Sequence, residues 1–229
     1  MSFVGGGVSS QLSVTDSYLE TTAKREGEHI GVLVLYDGSI PQMKAMADAA
    51  KRGIESVTGI TAEIYRLPHD PASDKTVISS VFDDQTLEKN LYHKLERANG
   101  VLFGIPGQCG LPPAAVKKFF DSLGDRKAIG PLNGKLAGVF TSSPLQGAGQ
   151  ETTILTTITQ LASLGMIFVP TGYGFGPAMF DLSELHGGSP FGAGVITGPD
   201  NKRDPSPQEL EYAQYQGCYF GLMAKRVEI

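Results

Sequence analysis

The sequence predicts an α/β fold, an open parallel sheet of five strands with helices on both faces. Three observations carry that expectation. Apolar runs such as Ile30 to Tyr36 and Gly100 to Pro106 are continuous rather than alternating, as in strands buried on both sides. Each run is followed by a stretch whose apolar residues recur at helical spacing. Strands that alternate with helices in this way form right-handed crossovers and therefore a parallel sheet.

The elements follow in order. Ile30 to Tyr36 (IGVLVLY) is the first strand. A helix is expected from Pro41 to Val57, where Met43, Met46, Ala47, Ala50, Ile54 and Val57 share one face. Pro41 suits the first turn, because the N–H it lacks would be unpaired there. Gly59 is a natural stop. Ala62 to Leu67 reads as the second strand, and Pro68 to Asp84, rich in Pro, Asp and Ser, as a loop. Thr86 to Ala98 is a helix and Gly100 to Pro106 the third strand. Pro113 to Leu123 is an amphipathic helix with Val116, Phe119 and Phe120 opposite Lys117 and Lys118. Lys135 to Ser142 is the fourth strand, Gln150 to Leu164 a helix carrying Ile154, Ile158 and Leu161, and Met166 to Gly172 the fifth strand. Tyr173 to Lys202 is a long Gly/Pro-rich loop, of a length that is often functional. A last helix starts near Ser206 and runs to Arg226.

Length and composition set the frame. The 229 residues divide into an N-terminal arm, 1–28, and one domain, 29–229. With 41% hydrophobic and 19% charged residues the chain has the composition of a water-soluble globular protein. A net charge of -5 lacks the basic footprint that phosphate-backbone binding needs, so no nucleic-acid partner is expected. Two cysteines, Cys109 and Cys218, do not make a disulfide framework and fit a reducing, cytoplasmic compartment. No apolar run reaches the length of a membrane span. Met1 to Glu28 lacks the basic start and apolar core of a secretory signal and reads as a flexible arm.

In open α/β sheets ligands bind beyond the carboxyl ends of the strands, where strand order reverses. Tyr36 to Gln42, Pro106 to Leu111, Ser142 to Gln150 and Pro170 to Gly176 should meet there, joined by Gly187 to Gly194. Most of these segments are rich in glycine, which lets backbone approach a ligand closely.

From Gly100 onward the sequence carries Gly104-Ile105-Pro106, Phe119-Phe120-Asp121, Gly134-Lys135-Leu136-Ala137, Gly149-Gln150-Glu151-Thr152 and Gly165-Met166-Ile167-Phe168-Val169-Pro170. Gly172-Tyr173 follows, then His186-Gly187-Gly188-Ser189-Pro190-Phe191-Gly192-Ala193, Pro205-Ser206 with Glu209-Leu210, and Gln216-Gly217. Together these resemble the tryptophan-repressor-binding-protein (WrbA) type of NAD(P)H:quinone oxidoreductase. The long tail motif is the most specific part. The resemblance reaches back to Ile30 and leaves out the arm. It implies a flavodoxin-like fold with strand order 2-1-3-4-5, bound FMN, NAD(P)H as co-substrate, quinone or another aromatic as substrate, and a homo-oligomer, dimer or tetramer.

The same resemblance places the cofactor against three loops. Gly38, Ser39 and Gln42 stand in the first, Gly107, Gln108, Cys109 and Gly110 in the second, and Ser142, Ser143, Gln146, Gly147 and Gly149 in the third. Tyr173 and His186 would face the substrate as candidate catalytic groups. All three loops depart from the family's pattern. The first, Ser-Met-Tyr-Gly-His in the family, cradles the phosphate; here it is Asp37-Gly38-Ser39-Ile40-Pro41-Gln42. Pro41 removes a donor and Asp37 sets a negative charge beside a dianion, unless Asp37 is a turn residue. The second loop, Thr-Arg-Phe-Gly-Asn in the family, keeps only Gly110. In the third, Pro144 and Leu145 replace small residues. Where the family has His-His-Gly near the flavin, this chain has Ser163-Leu164-Gly165.

Single residues carry two readings each. Cys109 is a nucleophile if a positive neighbour activates it and a packing thiol otherwise. His186 is an acid or base, or anchors its loop. Tyr173 stacks on a ring or packs. No Cys/His/Asp cluster has metal-ligand spacing. Three functions stay open: an FMN-dependent quinone reductase with an altered site, a flavin-free pocket for another small molecule, and a non-catalytic scaffold. The first two require a hollow at the sheet edge that Leu111, Leu145 and Leu164 do not plug.

Overall fold

The computed structural model describes residues 30–67, 85–107, 109–124 and 132–227. The expected arm (1–28) and the expected loop from Pro68 to Asp84 lie outside the described residues. The elements are β1 (Ile30–Asp37), α1 (Gln42–Glu55), β2 (Ile60–Leu67), α2 (Gln85–Arg97), β3 (Gly100–Pro106), α3 (Ala114–Gly124), β4 (Leu136–Ser143), α4 (Gln150–Ser163), β5 (Ile167–Phe168), β6 (Gly194–Ile196) and α5 (Pro207–Arg226). A 3-10 turn, Pro177–Phe180, interrupts the stretch between β5 and β6.

All strands pair in parallel, in the order β2-β1-β3-β4-β5. Side chains alternate across the sheet, as the twofold period of a strand demands. Val32, Val34, Tyr36, Leu102 and Phe140 face one core, which α1 and α5 cover. Leu33, Leu35, Val101, Phe103 and Ile105 face the other, closed by Leu95 of α2, Phe119 and Phe120 of α3, and Ile154 and Leu161 of α4. Both cores are needed because β3 and β4 are buried along their whole length.

The helices α1 and α5 pack at unusually short range. A Cβ on Gly217 would lie 2.0 Å from the Ala50 carbonyl oxygen, and one on Gly53 would lie 1.9 Å from that of Gln214. Helix α5 starts at a full capping box: Ser206 Oγ accepts from Glu209 N–H, and the Glu209 carboxylate accepts from Ser206 N–H.

The fifth strand differs from the expected Met166 to Gly172. β5 pairs with β4 only at Leu136↔Ile167 and Ala137↔Phe168. Farther along, β6 takes its place at Thr141↔Gly194, Ser142↔Val195 and Ser143↔Ile196. The stretch read as one loop, Tyr173 to Lys202, therefore contains a buried strand. Between the two half-strands a side chain completes the ladder. Gln216 Nε2 donates to the Val139 carbonyl (2.9 Å), and Gln216 Oε1 accepts from Ala193 N–H (3.0 Å). Its carboxamide stands where a peptide unit would. Gln216→Leu keeps the volume and orphans both backbone groups, so a loss of about 2 kcal/mol in urea unfolding is expected.

Candidate functional site

In a parallel sheet the segments after the strands gather at one edge, and three of the expected loops do so here. The second and third are in direct contact. Gly107 N–H donates to the Ser142 carbonyl (2.8 Å), and a Cβ on Gly149 would lie 2.9 Å from Gly110 N. Gly149 caps α4 in the left-handed region (φ 86), and Gly110 (φ 83) and Gly147 (φ 73) share that backbone state. Cys109, with φ 53, holds the same conformation without being glycine. It is exposed. Gln108 lies outside the described residues.

Ser142 and Ser143 are buried at the end of β4. The Ser143 hydroxyl donates to the Leu145 carbonyl (2.8 Å) and accepts from Gln150 Nε2 (3.1 Å), so it shapes the turn from within. Gln146 and Gly147 are exposed, with open space around Gly147. Leu111 and Leu145 do not plug the edge: they are 58% and 53% exposed. Leu164 ends α4 and precedes β5, at the amino edge of the sheet, where it packs against the core. It is absent from the loop cluster of its own chain.

The first loop is built differently from a phosphate cradle. Asp37 is fully buried. Its Oδ1 accepts from Ser39 N–H at 2.7 Å, which is the turn role. Its Oδ2 is buried with no donor among the described residues. Helix α1 begins after Pro41, which has no N–H, and the N–H groups of Met43 and Lys44 already meet the carbonyls of Ile40 and Pro41 (3.1 Å each). Gln42 sends Nε2 to the carbonyls of Asn201 (2.9 Å) and Arg203 (3.0 Å), and its Oε1 is likewise buried without a donor. Arg66 lies over Gly38, donating to its carbonyl (3.1 Å); a Cβ on Gly38 would lie 1.8 Å from Arg66 Nε. A phosphate needs several free N–H donors and no carboxylate beside it. The first loop keeps the N–H groups of Gly38, Ile40 and Gln42 without a partner among the described residues, but the Asp37 carboxylate beside them makes it a poor seat for the phosphate of FMN.

The tail segment is fixed by groups to which sequence reasoning gave no such role. Glu209 is 1% exposed. Its Oε1 accepts from Gly187 N–H (3.0 Å) and Ile196 N–H (2.9 Å), and its Oε2 takes the Arg203 guanidinium at 2.8 Å. Arg203 also donates to the carbonyls of Ile196 (2.6 Å) and Leu185 (2.8 Å). Gln150 accepts from Gly188 N–H (2.9 Å), which brings the Gly187 loop to the head of α4. The spacing Ser206-x-x-Glu209 was the available signal for the cap, though not for the reach to Gly187 and Ile196.

His186 is half-buried, and both ring nitrogens meet carbonyls of its own loop, Nε2 that of Asp181 (2.9 Å) and Nδ1 that of Gly187 (3.3 Å). Whichever nitrogen carries the proton donates to its carbonyl and anchors the loop. Tyr173 is 60% exposed and tilts against Phe180, with ring centroids 5.6 Å apart. Tyr212 lies beneath, stacked on Phe175 at 4.8 Å; it shares a hydrogen bond with the Thr171 hydroxyl and donates to the Ser189 carbonyl (2.7 Å). Burial pushes its hydroxyl up to about 12, so it stays a donor at neutral pH. Among the described residues no group of three or more His, Cys, Asp or Glu is placed to hold a metal ion, and no helix is long and apolar enough to cross a membrane.

A family model described as NADPH-dependent FMN reductase matches residues 35–178, from the end of β1 through the three loops and into the tail. The chain belongs to that family. Its relatives include a probable NAD(P)H dehydrogenase (quinone) of Arabidopsis thaliana, 38% identical over 93% of this chain and 78% of the relative. A quinone-oxidoreductase of Triphysaria versicolor is 38% identical over 86% of this chain and 96% of its own. Among solved structures, a flavodoxin, WrbA-like protein from Agrobacterium tumefaciens superposes with a TM-score of 0.59 at 18% identity, covering 86% of this chain and 98% of that one. That likeness confirms the flavodoxin-like fold and the strand order expected of this FMN reductase family member.

Proposed function

We propose that this chain reduces quinones with NAD(P)H in a two-electron step, with a flavin held at the carboxyl edge of the sheet. The overall reaction takes one hydride from the nicotinamide and one proton from solvent, and it yields NAD(P)+ and a hydroquinone. The observation that carries the reading is the contact between the Gly107–Gly110 and Ser142–Gly149 turns, inside the stretch that matches the FMN reductase family. Relatives named for quinone oxidoreduction support the substrate class. A flavin would supply the hydride relay, and the protein would orient it and its partners.

In this reading Gly107, Cys109, Gly110, Gln146, Gly147 and Gly149 border the ring, and Tyr173 and His186 lie toward the substrate. The exposed Tyr173, Phe180 and Leu182 support a homo-oligomer that covers this flank, since such apolar groups are seldom left in water together. The cysteine usage supports a cytoplasmic setting.

One experiment tests the activity. The purified protein, supplied with flavin, is mixed with NADH or NADPH and a simple benzoquinone, and nicotinamide oxidation is followed. Quinone-dependent oxidation is the expected result. A protein that visibly binds flavin and yet leaves NADH and NADPH intact with every quinone tried would overturn the assignment. A second reading, a flavin-free pocket, is favoured by one observation, the misfit of the first loop to phosphate.

A further inference from the structure

The turn between β1 and α1 is the place where an α/β sheet commonly receives a phosphate, because the following helix offers free N–H groups and a positive dipole end. In this chain the seat is already taken. The Asp37 carboxylate accepts the Ser39 N–H at 2.7 Å, so an internal anion lies where an external one would bind. Its second oxygen is buried and has no donor among the described residues, and neither has the buried Gln42 Oε1. Of the first helical N–H groups, those of Met43 and Lys44 are spent on the carbonyls of Ile40 and Pro41, Gln42 keeps its own, and Pro41 has none. The Gln42 amide nitrogen is spent on the carbonyls of Asn201 and Arg203. What remains unpaired in the turn, among the described residues, are those two acceptors and, against them, the N–H groups of Gly38, Ile40 and Gln42 and the Ser39 hydroxyl. A phosphate could take these donors only beside the Asp37 carboxylate, whose repulsion offsets them.

We infer that the β1–α1 turn is a specificity element that makes the flavin site indifferent to phosphate, so that riboflavin serves as well as FMN. The inference rests on the flavin reading of the proposed function. Binding then comes from the ring side, through the Gly107–Gly110 and Ser142–Gly149 turns, with no net gain from charge-assisted bonds at the far end. Asp37 is the residue that sets this preference. The neighbouring cation is Arg66, exposed and engaged with the Gly38 carbonyl (3.1 Å).

The test is a binding titration of the flavin-stripped full chain, read by quenching of flavin fluorescence. Riboflavin and FMN are compared at low salt, where charge effects are largest. The wild-type comparison stands without any variant. Affinities within about threefold of each other are expected, because repulsion from Asp37 offsets what the donors of the turn give the phosphate. In Asp37→Asn the acceptor for Ser39 N–H persists and the charge is gone. FMN should gain roughly tenfold over riboflavin. Arg66→Gln should leave the ratio unchanged.

FMN binding more than about tenfold tighter than riboflavin to the wild type would overturn the inference. If Arg66→Gln then abolished that preference, the phosphate would be held from outside by the guanidinium, which also overturns it. Either result leaves the flavin-dependent activity standing. Failure to bind either flavin would overturn both the inference and the flavin in the proposed function.

Discussion

Glu209→Ala should unfold this protein more readily than any other single truncation in the tail, with an expected loss of about 3–5 kcal/mol. The carboxylate is buried and accepts from four donors: the N–H groups of Gly187, Ile196 and Ser206, and the Arg203 guanidinium. Removing it strands all of them at once. It also unlocks the start of α5 and the β6 strand, because the same side chain serves both. Glu209→Gln retains an oxygen acceptor and loses the charge that Arg203 meets, so an intermediate loss is expected. Urea midpoints measured at constant m-value would check both. An unchanged midpoint for Glu209→Ala would mean that the tail is held by its apolar contacts alone.

Gly217→Val is expected to cost about 3 kcal/mol or more, through a different cause. The added Cβ would sit 2.0 Å from a backbone carbonyl oxygen, that of Ala50, and a backbone cannot step aside as a flexible side chain can. The only relief is to push α5 away from α1, which opens the core formed by Met46, Ala50, Ala213 and Phe220. Gly31→Ala is the matched control. Its Cβ meets nothing within 4 Å, and the expected change lies within about 1 kcal/mol. Thermal unfolding of both variants would settle the comparison. Equal melting temperatures would show that the helices are free to separate.

Much of the architecture was legible in the chain. β1, β3 and β4 are long, doubly buried runs, and their expected bounds agree with the structure to within one residue at either end. Helix α1 was marked by Pro41 and by the spacing of Met43, Met46 and Ala50, all of which are buried or sit at the predicted cap. β6 was not legible. It is three residues long, with Gly194 at its start, and no alternation or helical period can be read over so short a span. Its neighbours on β4 decide its state, and those are distant in sequence.

The site was legible in part. Sequence alone placed the loops at one edge, and it named Asp37 as the misfit for phosphate or else a turn residue. The structure shows the turn role, in which the carboxylate accepts the Ser39 N–H, and leaves the phosphate reading to the titration described above. Glu209 and Gln216 entered only as part of the resemblance and Arg203 not at all, because their partners come from loops that only the fold brings near. Leu164 was placed with the cofactor by analogy, and chain direction puts it at the other end of the sheet.

The divided outer rail of the sheet has a practical meaning. Residues 169–193 leave from one half-rail and rejoin at the other, while the rungs between β1, β3 and β4 pass them by. The ends of that excursion are tied to β4 at Val169 and Ala193 and to α5 through Glu209 and Tyr212, while its exposed middle, from Asp181 to Leu185, stands clear of the sheet. Evolution or an engineer can lengthen or reshape that middle, and so redraw the rim that a substrate crosses, without shifting a single pairing among the inner strands.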